Sequence, residues 1–230
     1  MTYPYQEITA RLKKRFHGID AIIDKCVETV LVWKRDPHLF ERPLVVNLWG
    51  ATGTGKTSMV IEILRELGLF GRTLYLNFSD TDSVNDSLDI EEHIRDLQES
   101  HEEPIPPILI FDEFQHARTI NEEAFELQMN SYSQIWATFD YGTRGESLRE
   151  IGFTPRPALI FVIGNLDESW SGFRSTTLEA YDEEHLGRKL GNISLQQIRS
   201  ALSKRFRREQ IARLGAIHFM FPLVKKTVVK

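Results

Sequence analysis

Apolar residues form two kinds of pattern along this chain, helical spacing and short continuous runs. The two patterns alternate, which predicts alternating helices and strands. Seven apolar positions at helical spacing predict one helix from about residue 18 to residue 35: Ile19, Ile22, Ile23, Cys26, Val27, Val30 and Leu31. Four short, nearly continuous apolar runs predict strands buried on both sides, over residues 44–49, 73–78, 108–111 and 158–163. Helical patterns fall at about residues 59–67, 124–128 and 195–214, and the last of these leads into an apolar run over residues 217–221.

Strands that alternate with helices indicate a fold class. They imply crossover connections, and therefore an α/β fold with a mostly parallel central sheet and helices on both faces, a three-layer sandwich. With 230 residues the chain can bury one sizeable core. We expect residues 1–41 to form an N-terminal helical segment that leads into a core over residues 42–230.

Composition and charge narrow the class of protein without indicating a function. The charged fraction of 27% and the net charge of -5 are those of an ordinary globular protein, not of one held on nucleic acid by bulk positive charge. No secretory signal is recognisable, and no apolar stretch approaches the ~20 residues that a membrane span needs. The single cysteine, Cys26, lies in an amphipathic pattern, which favours a buried thiol in a reducing compartment. We therefore expect a cytoplasmic protein without a membrane span.

The charge is unevenly distributed along the chain. Residues 80–103 hold ten acidic residues and one basic residue, whereas residues 204–230 hold eight basic residues and one acidic residue. Two interpretations stay open at this point. The segments are either solvated surfaces of opposite sign, or surfaces through which neighbouring subunits attract each other.

A glycine-rich run after the first predicted strand carries the strongest chemical signal. It fits G-x-x-x-x-G-K-[ST] at every specified position, between a predicted strand and a predicted helix, and so predicts a P-loop, or Walker A motif. Glycines let successive backbone N–H groups point at a phosphate, and the following helix adds its positive N-terminal dipole. We expect Lys56 to reach the β- and γ-phosphates of ATP and the Thr57 hydroxyl to bind Mg²⁺. The run is Gly50, Ala51, Thr52, Gly53, Thr54, Gly55, Lys56 and Thr57.

Two later strands end in polar residues that complete such a site. The run over residues 108–111 is followed by Asp112 and Glu113, a Walker B pattern. In this interpretation Asp112 holds Mg²⁺ through its water shell, while Glu113 orients and polarises the attacking water. The run over residues 158–163 leads to Asn165, whose amide would hold that water from the other side.

The order of these motifs resembles that of the AAA+ ATPases, and the likeness extends over nearly the whole chain. It implies the P-loop NTPase fold of the AAA+ large subdomain. It also implies that Glu113 occupies the position of the catalytic glutamate and Asn165 that of the polar residue called sensor 1.

Within that superfamily the chain is most similar to the Clp-type unfoldase and disaggregase branch, which includes the torsins. Phe16, His17, Gly18 and Ile19 resemble the segment that packs on adenine, with Ile19 in place of the usual glutamine. Residues 42–50 are similar to the torsin approach to the P-loop, although Thr57 stands where many torsins carry asparagine. Residues 206–215, continuing to 221–223, are similar to the Clp segment that supplies an arginine finger. This likeness implies that role for Arg213, with Arg205 as the next candidate.

The sequence departs from the Clp pattern in two places. Threading enzymes of this branch carry an aromatic-glycine pore loop, but residues 83–107 contain no aromatic residue. Only seven residues follow Leu223, so we expect the small helical lid domain and its sensor 2 arginine to be absent. Either the chain is trimmed from a longer protein, or it is a minimal ATPase that borrows a lid from a partner.

Three functions are compatible with these features. The leading hypothesis is a magnesium-dependent ATPase that acts as a homo-oligomer, or with ATPase partner subunits, to remodel a protein client. The second is a nucleotide-gated switch or scaffold with little turnover. The third is a nucleic-acid-directed ATPase, such as a helicase loader or transposition regulator, which the overall acidity makes less favoured.

Overall fold

The helices and strands are taken from a computed structural model, which describes residues 4–79, 107–117, 133–139, 158–166 and 194–222. The helices are α1 (Pro4–Arg15), α2 (Asp20–Arg35), α3 (Lys56–Glu66), α4 (Ser133–Thr138), α5 (Leu195–Leu202) and α6 (Arg208–Arg213). The strands are β1 (Leu44–Trp49), β2 (Thr73–Asn77), β3 (Ile108–Asp112), β4 (Leu159–Gly164) and β5 (Ile217–Met220). Short 3₁₀ turns lie at Pro37–Leu39, Phe70–Arg72 and Phe114–Ala117.

The five strands form one parallel sheet in the order β2, β3, β4, β1, β5. Strand β1 pairs with β4 from Leu44 opposite Leu159 to Trp49 opposite Gly164. The three inner strands are almost wholly buried, which explains why their sequences are continuous apolar runs rather than alternating ones. Since all strands run the same way, their carboxyl ends meet at one edge of the sheet, the carboxyl edge, and their first residues lie at the opposite amino edge.

Helices cover both faces of this sheet, and each face has its own hydrophobic cluster. On one face α1, α2 and α3 pack on inward residues such as Val46, Ile110 and Phe161. On the other face α4 and α5 pack on residues such as Leu109 and Val162. The second cluster is rich in aromatic rings that contact one another: Phe78, Phe111, Phe114, Trp136, Phe139 and Phe206. The predicted three-layer α/β architecture is thus confirmed.

The helix predicted over about residues 18–35 is confirmed as α2, one other helical prediction is wrong, and one helix has no counterpart among the predictions. The single helix expected over residues 195–214 is two helices, α5 and α6, separated at residues 203–207. Phe206 is buried in the aromatic cluster, and the extended backbone of Arg207 caps α6 by donating its N–H to Gln210 Oε1 at 3.0 Å. In addition, α1 precedes the predicted N-terminal helix and buries only a narrow stripe, Ile8, Thr9 and Leu12, so its apolar spacing is weak.

Several sequence features lie outside the described residues. These are the helical pattern at residues 124–128, the acidic segment at residues 80–103 and the end of the basic segment beyond residue 222. The division expected between residues 41 and 42 falls between the turn Pro37–Leu39 and β1. Residues on both sides of it belong to the same hydrophobic cluster, as Val30 and Val46 show.

Candidate functional site

A cavity of about 150 Å³ opens at the carboxyl edge of the sheet, where β1, β3 and β4 end. It is lined by the P-loop, the end of β3 and the end of β4. Of the lining residues, Ser58 and Gly164 were not predicted as site residues. The full lining is Thr52, Gly53, Gly55, Lys56, Thr57, Ser58, Asp112, Glu113, Gly164 and Asn165.

The backbone of the P-loop depends on glycine at defined positions. Gly53 and Gly55 have φ angles of 79° and 85°, in the left-handed region that favours glycine. Gly50 has φ 152°, and a Cβ placed there would lie 2.9 Å from Phe221 Cβ and 3.0 Å from its carbonyl oxygen. Gly55 caps α3, which begins at Lys56, so the positive end of that helix faces the cavity.

Lys56 lies folded across the P-loop and is only 8% exposed. Its Nζ donates to the carbonyl oxygens of Gly50 and Ala51, at 2.9 and 2.8 Å, and to Thr54 Oγ1 at 3.3 Å. Thr54 in turn donates to the Ala51 carbonyl at 2.9 Å. The ammonium group is therefore fixed by the curl of the loop at the position where phosphate oxygens would enter.

The Asp112 carboxylate lies in the acidic wall of the cavity, accepts three hydrogen bonds and is 7% exposed. Its Oδ2 accepts from Thr57 Oγ1 at 2.7 Å and from the Tyr75 hydroxyl at 2.8 Å, while Oδ1 accepts from the Glu113 N–H at 2.9 Å. A hydroxyl and a carboxylate side by side are the oxygen ligands that Mg²⁺ takes in proteins. Thr57 and Asp112 therefore fit the magnesium-binding role predicted for them.

Glu113 and Asn165 are joined by a residue that the sequence did not single out. Gln115 donates from Nε2 to Glu113 Oε2, and its Oε1 accepts from the Asn165 backbone N–H at 2.9 Å. Glu113 has a left-handed backbone, φ 53°, which is uncommon for a residue other than glycine. Asn165 Oδ1 is buried and accepts no hydrogen bond from the described residues. A buried amide oxygen without a partner at the wall of a polar cavity is a group that a bound ligand or water can satisfy.

Only part of the segment predicted to pack on adenine lies beside the P-loop. Phe16 lies against the P-loop, since a Cβ at Gly55 would be 3.8 Å from Phe16 Cδ1. His17 and Gly18 are exposed. Ile19 is 5% exposed and belongs to the hydrophobic cluster under α2, so its side chain faces the core rather than the loop.

The two candidate finger arginines occupy different parts of the domain. Arg213 lines a second cavity of about 370 Å³ together with Arg42, Leu44 and Ile217, which places it at the amino edge of the sheet. The six residues of β1 separate the two edges by roughly 16 Å. Arg205, by contrast, lies near the candidate site of its own chain, because its Nη1 donates to the Gln115 carbonyl at 3.4 Å.

Besides Gly164, three residues of this site were missed by sequence reasoning. Ser58 follows the specified positions of the P-loop motif and carries no signal of its own. Tyr75 reaches Asp112 only because β2 lies beside β3 in a register that pairs Tyr75 with Ile110. The signal for Gln115 was a polar residue two positions after Glu113, which is too weak to stand alone.

The strand order, the P-loop and the acidic end of β3 are those of an α/β P-loop NTPase fold. In agreement, the chain matches the family model described as AAA domain over residues 42–138. That match spans the P-loop and the Asp112–Glu113 pair, less than half of the chain, and ends before Asn165 and Arg213. It supports an AAA-type P-loop ATPase domain and, with it, nucleotide binding. No curated protein matches the sequence. None of the helices in the described segments has the length and apolar character needed to cross a membrane.

Proposed function

We propose that this protein binds ATP at the carboxyl edge of its sheet and hydrolyses it with the help of Mg²⁺. The observation that carries the proposal is the convergence of Lys56, Asp112, Glu113 and Asn165 on one cavity, although they come from three different strand ends. A phosphate-binding loop alone would support binding only. A carboxylate beyond the predicted magnesium ligands adds a group that can act on water.

Each residue has a role that follows from its position. The P-loop N–H groups and the α3 N-terminus hold the phosphates, and Lys56 exchanges its carbonyl partners for phosphate oxygens. Thr57 and Asp112 would hold Mg²⁺, which when bound neutralises charge on the phosphates. Glu113 orients the attacking water and accepts its proton, while the Asn165 amide holds the same water from the β4 side.

Replacing Glu113 separates hydrolysis from binding. Glu113→Gln keeps the size of the side chain but removes the proton acceptor, so we expect ATP turnover to fall by about 10²-fold or more. Binding of a fluorescent ATP analogue should remain within a few-fold of the parent protein. Asp112→Asn serves as the matched comparison, because it should weaken magnesium-dependent binding as well. Parent-like turnover in Glu113→Gln would refute the role assigned to Glu113.

We further propose that Arg213 acts on the nucleotide of a neighbouring subunit. Its place at the amino edge, roughly 16 Å from the carboxyl edge, supports this, since it lies too far away to serve its own site. A guanidinium supplied in this way stabilises charge on the transferring phosphoryl group and is worth about 10³–10⁵ in rate. Arg205 is the weaker candidate, because it already contacts its own Gln115 carbonyl.

Mixing variants tests this arrangement directly. Arg213→Ala keeps its own site intact but supplies no finger, whereas Lys56→Ala supplies a finger but lacks a working site. Each alone should be inactive, and mixing them should restore turnover. Arg208→Ala, an exposed arginine on the same helix, is the control that should leave turnover unchanged. If the mixture stays inactive while Arg213→Ala alone turns over ATP normally, Arg213 is not a finger.

The Clp-like segments of the sequence bear on the branch of the superfamily and on the client. We propose that the protein belongs to the Clp-type branch and acts as a cytoplasmic oligomer that remodels a protein client. The support is the likeness of residues 42–50 and 206–223, together with the separation of Arg213 from its own site. Specific activity that rises steeply with protein concentration is the expected result. Negligible hydrolysis at every concentration would instead favour the nucleotide-gated switch.

A further inference from the structure

The amide of Gln115 bridges two groups that the proposed mechanism places on either side of the attacking water. It donates to the Glu113 carboxylate and accepts from the backbone N–H of Asn165 at 2.9 Å. We propose that Gln115 is a positioning residue, which fixes the Glu113 carboxylate relative to the end of β4 and so sets the line along which water attacks. This inference rests on the proposed role of Glu113.

An amide matches the hydrogen-bonding chemistry at both ends of the bridge. The Glu113 carboxylate offers only acceptors and the Asn165 N–H is only a donor, so the bridging group must donate at one end and accept at the other. The Gln115 carboxamide does both, donating from Nε2 and accepting at Oε1. A glutamate at position 115 would still accept from Asn165 but would oppose the Glu113 carboxylate with a second one.

The local backbone brings the amide to this place. Glu113 turns through the left-handed region, and the His116 N–H closes the turn on the Glu113 carbonyl at 3.0 Å. The 3₁₀ turn Phe114–Ala117 follows, with Phe114 fully buried in the aromatic cluster. Since Phe114 anchors this turn, Gln115 is directed to the end of β4 rather than into solvent.

The end of β4 is shaped to receive the amide. A Cβ at Gly164 would lie 2.9 Å from Gln115 Oε1 and 2.9 Å from Trp49 Cζ3, closer than real Cβ contacts allow. The Gly164 carbonyl also accepts from the Gly50 N–H at 3.3 Å, where the P-loop begins. Glycine at position 164 therefore lets the ends of β1, β3 and β4 meet, with the Gln115 amide at their junction.

Loss of the bridge should affect the chemical step and not binding. Within the part of the chain that the structure describes, the Gln115 amide contacts Glu113 and the Asn165 backbone and does not line the cavity, so we expect little effect on nucleotide binding. Without it the Glu113 carboxylate is free to rotate away from the water, and a displacement of about 1 Å costs on the order of 10²-fold in rate. We expect Gln115→Ala to lower kcat by about 10–100-fold, with KM and the dissociation constant of a fluorescent ATP analogue within about twofold of the parent.

A double-mutant cycle distinguishes action through Glu113 from a general structural effect. Hydrolysis is measured under single-turnover conditions in the parent, Gln115→Ala, Glu113→Gln and the double variant. If Gln115 acts through Glu113, Gln115→Ala has no further effect once Glu113 is glutamine. Equal fold-losses in both backgrounds would overturn the inference, as would a parent-like kcat in Gln115→Ala. Gln196→Ala, an exposed glutamine on α5, is the control.

A second variant protects the test against simple unfolding. Gln115→Glu retains the length of the side chain and the acceptor for Asn165, but not the donor to Glu113. It should show the same loss of kcat with a melting temperature near that of the parent. Parent-like kcat in this variant would overturn the inference while leaving the proposed function intact. Parent-like hydrolysis in Glu113→Gln would instead overturn the proposed function itself, and the inference with it.

Discussion

Asn47 gives the sharpest test of how the core holds the segment that carries Arg213. It lies in the middle of β1, has no exposed surface, and donates from Nδ2 to the carbonyl oxygens of Leu214 and Ile217 at 2.7 and 2.9 Å. Leu214 is the first residue of the three-residue connection between α6 and β5, and Ile217 is the first residue of β5. Two substitutions of similar size, Asn47→Leu and Asn47→Asp, remove the donor in different ways.

The expected losses follow from which groups are left without partners. Leucine leaves the buried Leu214 carbonyl and the partly buried Ile217 carbonyl without this donor, at about 1–3 kcal/mol each. It also removes Asn47 Oδ1, which is buried with no hydrogen-bond partner among the described residues. Removing this unsatisfied oxygen should stabilise the fold by about as much as one carbonyl loses. The net loss is then about 1–3 kcal/mol. Aspartate keeps the shape but sets a buried carboxylate against two carbonyl oxygens, so it should cost about 4 kcal/mol or more.

Urea unfolding at pH 7, followed by tryptophan fluorescence, measures both losses. The order of midpoints should be parent, then Asn47→Leu, then Asn47→Asp. For a domain of this size the leucine variant should melt about 2–12 °C below the parent. Equal midpoints for the leucine and aspartate variants would show that the volume of Asn47 matters and its hydrogen bonds do not, which would refute the reasoning.

Two further predictions concern Tyr75 and His218. Tyr75→Phe removes the hydroxyl that donates to Asp112 Oδ2. Because Tyr75 is 42% exposed, we expect a modest effect. The Mg²⁺ concentration that half-saturates binding of a fluorescent ADP should rise about fivefold. An unchanged half-saturating concentration would contradict this prediction. Burial, and to a smaller extent the positive charge of Arg199, lowers the pKa of His218, whose Nδ1 accepts from Trp49 Nε1 at 3.0 Å. The unfolded chain therefore binds more protons, and stability should fall as pH drops from about 6.5 towards the lowered pKa. Melting temperatures between pH 5 and 8 should depend less on pH in His218→Asn, and identical slopes would count against this assignment.

Local motifs made much of the site predictable from sequence. The spacing of glycines in the P-loop motif specifies the backbone shape of the loop. An apolar strand that ends in Asp112 and Glu113 must bring both carboxylates to the carboxyl edge of a parallel sheet. Asn165 follows the same logic at the end of β4. These predictions needed only contiguous residues and the parallel direction of the strands.

The contacts that escaped prediction depend on packing between distant elements. The link from Tyr75 to Asp112 requires the β2–β3 register, and the link from Gln115 to Asn165 requires glycine at position 164. The break between α5 and α6 contains neither glycine nor proline. It arises because Phe206 packs into an aromatic cluster built from remote residues.

The basic residues of α1 illustrate the same limit. Arg11 donates to Glu66 at 2.7 Å and Lys13 pairs with Asp24 at 2.7 Å, while Arg15 pairs with Glu62. These ion pairs join α1 to α3 and α2. In the sequence alone, the same residues form only a basic run.

The close packing of Phe221 on the start of the P-loop has a mechanical consequence. The Phe221 N–H donates to the Trp49 carbonyl at 2.7 Å, and its side chain is fully buried against Gly50. The first residue after β5 is thus in direct contact with the first residue of the loop. Any change in the shape of the loop at Gly50 would therefore displace Phe221 as well.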